Sequence, residues 1–344
     1  MQYFQATGTS YQIGVAHGKN FRSEIQRAFV THCAFHLSDH DLNNICIDIE
    51  SKLQQYLPAA YEELRGISDG SGLSFRQVIL LNHWEEIAQL AGEDKQSGCT
   101  SIIFRDTEDG PILGKTTDIE SFQVPDYFLF NIAPEQGYRM LLLGKIGTLK
   151  CEAGMNETGL CIGSNSSIEK NNTVGKLERM TLLRYLLQTC DNIASAVAYL
   201  KQYPFYRLGL NVSIFDQSGR AVVAECGNTK MAVREITGSV GYATNHYLTP
   251  EMAAEYDYGI WYYQNSMDRF SFLQSQFADR TVVSSVDTMK ALIKAHPQVG
   301  SICNHTDCCQ TKFATIWMPA RSSVWVCDGS PCKNDFHLQP FLRQ

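Results

Sequence analysis

The sequence predicts a layered α+β fold in which helices cover an antiparallel core, and two observations carry that prediction. The chain up to about residue 90 is patterned at a helical period, and after a polar, glycine-containing segment at 91–98 the apolar pattern becomes strand-like. The strand-like runs then follow one another across short turns, which implies hairpins and an antiparallel sheet instead of a doubly wound parallel one. With 344 residues, 44% hydrophobic and 19% charged, the chain has enough apolar surface for one large unit spanning 1–344.

A short opening strand leads to Thr9 or Ser10, either of which can cap a helix running through the thirties. Ile13, Ala16, Phe21, Ile25, Ala28 and Phe29 recur there at near-helical spacing. Pro58 is placed to open a helix carrying Tyr61, Leu64 and Ile67, closed by the glycines of 69–72, and Ser74 precedes a further helix through Val78, Leu81 and Ile87. These apolar stripes read as core-facing helix sides.

Beyond the break, 99–105, 112–117, 127–132, 138–143 and 160–164 read as strands separated by turns such as Glu108-Asp109-Gly110. Residues 177–203 supply two helices with Asp191 as a cap between them, and strands at 210–215 and 221–225 flank the turn at 216–219. The aromatic-rich stretch 256–272 reads as a helix covering the core or a substrate pocket. Strands at 313–318 and 324–327 form a closing hairpin.

Composition excludes several functions. A net charge of −7 argues against a nucleic-acid partner, because counterion release needs clustered Lys and Arg. No apolar run approaches the roughly 18–20 residues that span a bilayer, so no membrane association is expected. The opening MQYFQATGTSYQIG lacks a basic region followed by an apolar core, so a cytoplasmic chain is expected. No G-x-G-x-x-G follows a strand, and neither G-x-x-x-x-G-K-[ST] nor H-E-x-x-H occurs, so no cofactor is expected.

The twelve cysteines are scattered, unlike a disulfide scaffold, and read as mostly buried reduced thiols. Cys303-Asn304-His305-Thr306-Asp307-Cys308-Cys309 is compatible with zinc, with Cys327 and Cys332 completing a site through space. No clean second ligand pair accompanies it, so free thiols and no metal are the expectation.

The junction Ser97-Gly98-Cys99-Thr100-Ser101, between the helical leader and the first strand of the antiparallel region, invites a processing hypothesis. If the bond between Gly98 and Cys99 is cut, Cys99 carries a thiol and an α-amine on one carbon. An α-amine titrates near 7.7–8.0 and a thiol near 8.5, so nucleophile and base come in one residue. Glycine before it permits close approach of the thiol to its own preceding carbonyl.

The leader carries Gly8-Thr9-Ser10-Tyr11-Gln12-Ile13-Gly14 with His17-Gly18, Glu62-Glu63-Leu64-Arg65-Gly66-Ile67-Ser68-Asp69-Gly70 and Leu81-Asn82. Beyond it stand Gly98-Cys99-Thr100-Ser101, Gly154-Met155-Asn156-Glu157-Thr158-Gly159-Leu160 and Thr244-Asn245-His246. In these motifs and their order the chain resembles the isopenicillin N acyltransferase family of N-terminal-nucleophile (Ntn) hydrolases. The resemblance covers nearly the whole chain and implies a four-layer αββα sandwich. It also implies autocatalytic cleavage into 1–98 and 99–344 by an N-to-S acyl shift, the two fragments staying together as a heterodimer, with a higher oligomer left open.

By resemblance, Asp118 is the acid that hydrogen-bonds the nucleophile's amine, a surface turn acid being the alternative. Asn245 is a side-chain donor to the oxyanion, unless it is only a turn residue. Asn165 is a polar residue near the site, and Lys115 stands where relatives acting on bile-acid amides carry arginine, a solvated strand lysine fitting equally. A further basic residue of the family is matched here only by type, at Arg269 or Lys312; Arg269 reads equally as a surface helix charge. The segment Asn82-His83-Trp84-Glu85-Glu86 lacks the arginine of the penicillin enzyme.

The implied activity is hydrolysis or transfer at an N-acylated small amine or amino acid, a β-alanyl amine, a thioester or a β-lactam. The alternative is a non-catalytic or zinc-stabilised binding protein that keeps the fold.

Overall fold

A computed structural model describes residues 3–90, 98–120, 127–168, 177–203, 208–255, 261–278, 283–306 and 309–342. Strand β1 (Tyr3–Gly8) precedes the leader helices α1 (Ser10–Asn20), α2 (Arg22–His32), α3 (Asp39–Tyr56), α4 (Pro58–Ser71), α5 (Phe75–Asn82) and α6 (Trp84–Leu90). Strands β2 (Gly98–Phe104), β3 (Ile112–Glu120), β4 (Tyr127–Pro134), β5 (Met140–Lys145), β6 (Ala153–Asn156) and β7 (Cys161–Ile168) follow. Helices α7 (Arg179–Thr189) and α8 (Ile193–Gln202) lead to β8 (Leu208–Phe215), β9 (Ala221–Cys226), β10 (Met231–Glu235) and β11 (Val240–Ala243). The chain closes with α9 (Pro250–Ala253), α10 (Trp261–Gln276), α11 (Val286–Ile293), β12 (Cys309–Met318), β13 (Ser323–Asp328) and β14 (His337–Pro340).

The strands form an eight-stranded sheet, β1-β4-β5-β6-β7-β8-β9-β10, and a six-stranded sheet, β11-β2-β3-β12-β13-β14. Three buried clusters define the layering. Leu64, Leu81, Leu182 and Leu142 pack leader helices and α7 against the larger sheet; Leu113, Leu141, Met155 and Trp317 fill the gap between sheets; Ile102, Leu273, Met289 and Ile316 seat α10 and α11 on the smaller sheet. This is the αββα sandwich implied by the resemblance. No helix among the described residues is long and apolar enough to cross a membrane.

Several local features differ from the sequence reading. The helix through the thirties breaks at Phe21 (φ −119°, ψ 27°), and the helix after Ser74 breaks at His83. Thr9, not Ser10, caps α1, and Asn192, not Asp191, caps α8 by accepting from Ser195 N. Strand β1 pairs parallel with β4, a geometry available because the chain between them is long, running through the leader helices and then β2 and β3 of the other sheet. Residues 256–260, at the start of the aromatic-rich stretch read as a helix, lie outside the described residues, as do 91–97 of the junction.

The leader motifs are packing motifs. A Cβ on Gly14 would meet Glu63 O at 2.0 Å, one on Gly18 Ile67 O at 2.6 Å, and one on Gly66 Tyr11 O at 2.2 Å, so α1 and α4 cross backbone to backbone. Buried polar contacts then tie leader to body. Glu63 pairs with Arg184 and accepts from Tyr185 Oη at 3.0 Å; Asn82 Oδ1 accepts from Leu149 N at 2.8 Å; Glu85 pairs with Lys145 at 3.1 Å and Lys150 at 3.0 Å.

His17 Nε2 accepts from Gly147 N at 2.9 Å, which requires a neutral ring. Burial, aided by Arg184, pulls its pKa down to about 3. A group depressed in the fold contributes stability that is complete above its unfolded pKa near 6.5 and is lost as pH falls toward 3. Each pH unit within that window therefore removes about 1.4 kcal/mol. Urea unfolding is expected to show a shallower decline between pH 6 and 4 in His17→Gln than in the wild type; parallel curves would contradict this. Both pH values lie inside the window set by the two pKa values.

Candidate active site

Strand alternation sorts the site onto two faces of the smaller sheet. In β2, Ile103 packs between the sheets while Ile102 and Phe104 pack under α10 and α11. With a period of two, Cys99 and Ser101 therefore face the inter-sheet layer and Gly98 and Thr100 face the helices. The antiparallel register sets Cys99 opposite Thr117, Ser101 opposite Lys115 and Gly98 opposite Asp118.

Asp118 is wholly buried, which removes the surface-acid reading. A Cβ on Gly98 would stand 2.7 Å from Asp118 Oδ2, so only glycine leaves room for the carboxylate against the residue preceding Cys99. Thr311 Oγ1 donates to Asp118 Oδ1 at 2.6 Å, whereas Oδ2 has no partner among the described residues. Thr311 reaches this position because β12 shifts register between Thr311 and Phe313: Thr311 stands opposite Asp118 while Phe313 stands opposite the adjacent Thr117. Burial pushes the Asp118 carboxyl up to about 6 against the opposing pull of Arg269, the Thr311 hydrogen bond and Lys115.

Cys99 N donates to Asn245 Oδ1 at 2.9 Å, and Arg269 Nη1 donates to Cys99 O at 2.6 Å. Arg269 also reaches Thr100 Oγ1 at 2.9 Å and Asn245 Oδ1 at 2.6 Å, while Asn245 Nδ2 donates to Ser166 O at 2.8 Å. Two donors converge on one end of the amide and an acceptor meets the other, which fixes its orientation. Asn245 is thus more than a turn residue, and Arg269, fully buried, is not a surface charge. Ser266 Oγ accepts from Asn245 N at 2.7 Å and lies 2.7 Å from His246 Nδ1, so α10 braces the loop.

On the inter-sheet face, Lys115 is buried, which excludes a solvated strand lysine. Its Nζ donates to Thr116 O at 2.9 Å and lies 3.8 Å from Glu152 Oε2; Glu152 Oε1 accepts from Tyr127 Oη at 3.1 Å. Burial pushes the Cys99 thiol up, and Lys115 is the foremost group pulling it back. Asn165 Oδ1 accepts from Ser101 Oγ at 2.6 Å across the sheets, while its Nδ2 is a buried donor without a partner among the described residues. An orphaned buried donor costs roughly 1–3 kcal/mol, and such exceptions call for a functional account.

All the expected site residues except Lys312 are therefore gathered around Cys99, Ser101 and Gly98. Lys312 is the residue skipped in the β12 register, with Nζ 3.1 Å from Gln310 Oε1. Sequence reasoning missed Thr311, Ser266, Glu152 and Tyr127. Their roles depend on a register shift and on contacts between distant segments, which no local pattern announces.

The αββα layering, with Cys99 near the head of a strand in the smaller sheet, is the arrangement that the family resemblance implies. Residues 105–332 match the family described as acyl-coenzyme A:6-aminopenicillanic acid acyl-transferase, and the chain belongs to that family. The match begins shortly after Cys99. The chain is 24% identical over 171 residues to the acyl-coenzyme A:6-aminopenicillanic-acid-acyltransferase 40 kDa form of Emericella nidulans, covering 48% of this chain and 47% of that protein. It thus spans about half the length of the curated relative it matches.

Among solved structures, it is similar to a mutant of conjugated bile acid hydrolase from Clostridium perfringens, with TM-score 0.42 and 14% identity over 70% of this chain and 96% of that one. It is also similar to the Caenorhabditis elegans ortholog of N-acylethanolamine-hydrolyzing acid amidase, with TM-score 0.41 and 12% identity over 66% of this chain and 99% of that one.

Proposed function

We propose that the chain is a self-processing cysteine amidohydrolase or acyltransferase, one unit over 1–344 that cleaves itself into 1–98 and 99–344. The observation that carries this reading is the clamp on the Gly98–Cys99 junction. Asn245 and Arg269 hold the nitrogen and carbonyl of Cys99, and the carboxylate of Asp118 stands against Gly98.

Self-cleavage begins with attack of Cys99 Sγ on the Gly98 carbonyl carbon. Burial pushes the thiol up, so a base is needed, and we assign that role to Asp118, whose Oδ2 has no partner among the described residues; it takes the proton and returns it to the leaving nitrogen of Cys99. The C–N bond breaks as the thioester forms; water then hydrolyses the thioester, releasing the Gly98 carboxylate and the free thiol.

In the mature form the α-amine of Cys99, hydrogen-bonded to Asn245 Oδ1, takes the thiol proton while sulfur attacks the acyl carbonyl of substrate. Asn165 Nδ2 and Asn245 Nδ2 are the side-chain donors we assign to the developing oxyanion, each worth roughly 3–4 kcal/mol in such sites. Lys115 favours the thiolate by its charge. The amine leaves with the returned proton, and water or an amine acceptor resolves the acyl-enzyme. The substrate is an N-acylated small amine or amino acid, a thioester or a β-lactam, and the fragments remain paired through the leader's buried contacts.

Two experiments test this reading. Self-cleavage of freshly refolded chain should accelerate as pH rises through about 6, where Asp118 becomes a base, and Asp118→Asn should abolish that limb. An unchanged limb in the variant would remove Asp118 from the mechanism. A panel of N-acyl amines, thioesters and β-lactams, with hydrolysis and transfer products both monitored, should show turnover that alkylation of Cys99 eliminates. Turnover surviving alkylation would overturn the assignment of the nucleophile.

A further inference from the structure

We propose that His296, Cys303, His305 and Cys332 form a tetrahedral zinc site that braces the loop behind Asp118. The ligand atoms of these four residues all lie within 4.8 Å of one another. His305 Nε2 is 3.4 Å from Cys303 Sγ and 3.2 Å from Cys332 Sγ, and the His296 and His305 rings stack with centroids 4.9 Å apart. With Zn–S near 2.3 Å and Zn–N near 2.0–2.1 Å, the edges of a Cys2His2 tetrahedron are about 3.4–3.8 Å, so the constellation closes on a metal with movements of about 1 Å or less. Two thiolates and two imidazoles are the soft and borderline donors that select zinc over magnesium or calcium.

The sequence string named Cys303 and His305 but lacked a second ligand pair. The fold supplies it from two other segments: His296, just beyond α11, and Cys332, in the turn after β13. Other cysteines of the expected set lie elsewhere. Cys327 Sγ turns toward Asn334 O at 3.5 Å, Cys309 is buried in β12, and Cys308 lies outside the described residues.

The three segments joined by this cluster are irregular backbone, in which a metal cross-link restrains more freedom than in a helix or strand. Between two of the ligands, Asn304 N donates to Thr311 Oγ1 at 2.7 Å and Asn304 O accepts from Thr311 N at 2.9 Å. The same Thr311 hydroxyl donates to Asp118. Zinc held by Cys303 and His305 therefore fixes the loop that aims Thr311 at the carboxylate.

The site does not depend on the cysteine chemistry, so its test is separate. Elemental analysis of protein purified without chelator should give one zinc per chain in the wild type and equally in Cys99→Ala. Cobalt replacement should yield the ligand-field bands of a tetrahedral thiolate complex. His296 and Cys332 sit at the surface, so the variants H296A and C332S, singly and combined, are expected to fold, as checked by circular dichroism. The combined variant should lose zinc to background, and each single variant should surrender it to a weaker chelator than the wild type does. Zinc retained by the combined variant, a wild type that binds neither zinc nor cobalt when titrated, or a Cys303–Cys332 disulfide in peptide maps would each overturn the proposal.

Discussion

Cys99→Ala is expected to remain one unbroken 344-residue chain and to show no turnover, whereas the wild type is expected to separate into 1–98 and 99–344 in denaturant. Removing the sulfur removes the group that attacks the Gly98 carbonyl, and no other described thiol occupies the head of β2. Cys151, packed between the helices and the larger sheet, and Cys161, between the sheets, are buried with their thiols pushed up by desolvation, and neither lies at the Gly98–Cys99 junction.

Under native conditions both proteins should elute as a single species. The parallel β1–β4 pairing and the buried contacts of Glu63, Asn82 and Glu85 are expected to hold the leader once the backbone is cut. Denaturing and native chromatography of the two proteins side by side reads both expectations. Fragments from the alanine variant would locate the nucleophile elsewhere.

Arg269→Met should slow self-cleavage and substrate turnover by roughly 100–1000-fold, the range seen when a preorganised donor of an acyl-transfer site is lost. One guanidinium bridges Cys99 O, Thr100 Oγ1 and Asn245 Oδ1, and Asn265 Oδ1 accepts from its Nε at 2.9 Å. Methionine fills much of the volume but removes the Arg269 donor from Cys99 O and Thr100 Oγ1 and leaves Asn245 Oδ1 with Cys99 N alone, at about 1–3 kcal/mol for each buried acceptor orphaned before relaxation. Arg269→Lys should recover little, because a single ammonium on a flexible stem cannot replace a planar fork that serves several acceptors at once. Measuring unfolding in the uncleavable Cys99→Ala background separates lost stability from lost catalysis. A variant that cleaves at the wild-type rate would remove Arg269 from the site.

The difference between what could and could not be read from the sequence follows from range. Period-2 and period-3.6 patterns are local, so the helical leader, the meander of strands and the change at 91–98 were legible. Glycines such as Gly14 and Gly66 stood out as motifs, but only the crossing of α1 and α4 shows them as points of backbone contact. Gly98 and Cys99 were legible at the junction of the two patterns and Asp118 through the family resemblance, and the hairpin register then sets Gly98 opposite Asp118.

Arg269 was not legible in role, since its partners lie some 170 and 24 residues away, and a lone arginine on a helix ordinarily faces water. Thr311 was hidden more deeply. Its alignment with Asp118 depends on a register shift within β12, which composition does not mark. The opening strand was legible, but its partner was not, because β4 lies beyond the leader helices and the β2–β3 hairpin.

The most direct test of the central claim is denaturing mass spectrometry, with amino-terminal sequencing, of the purified wild-type chain in its active state. The account predicts two polypeptides, the larger beginning at Cys99 with a free α-amine. A single polypeptide of 344 residues that nonetheless turns over substrate would contradict it.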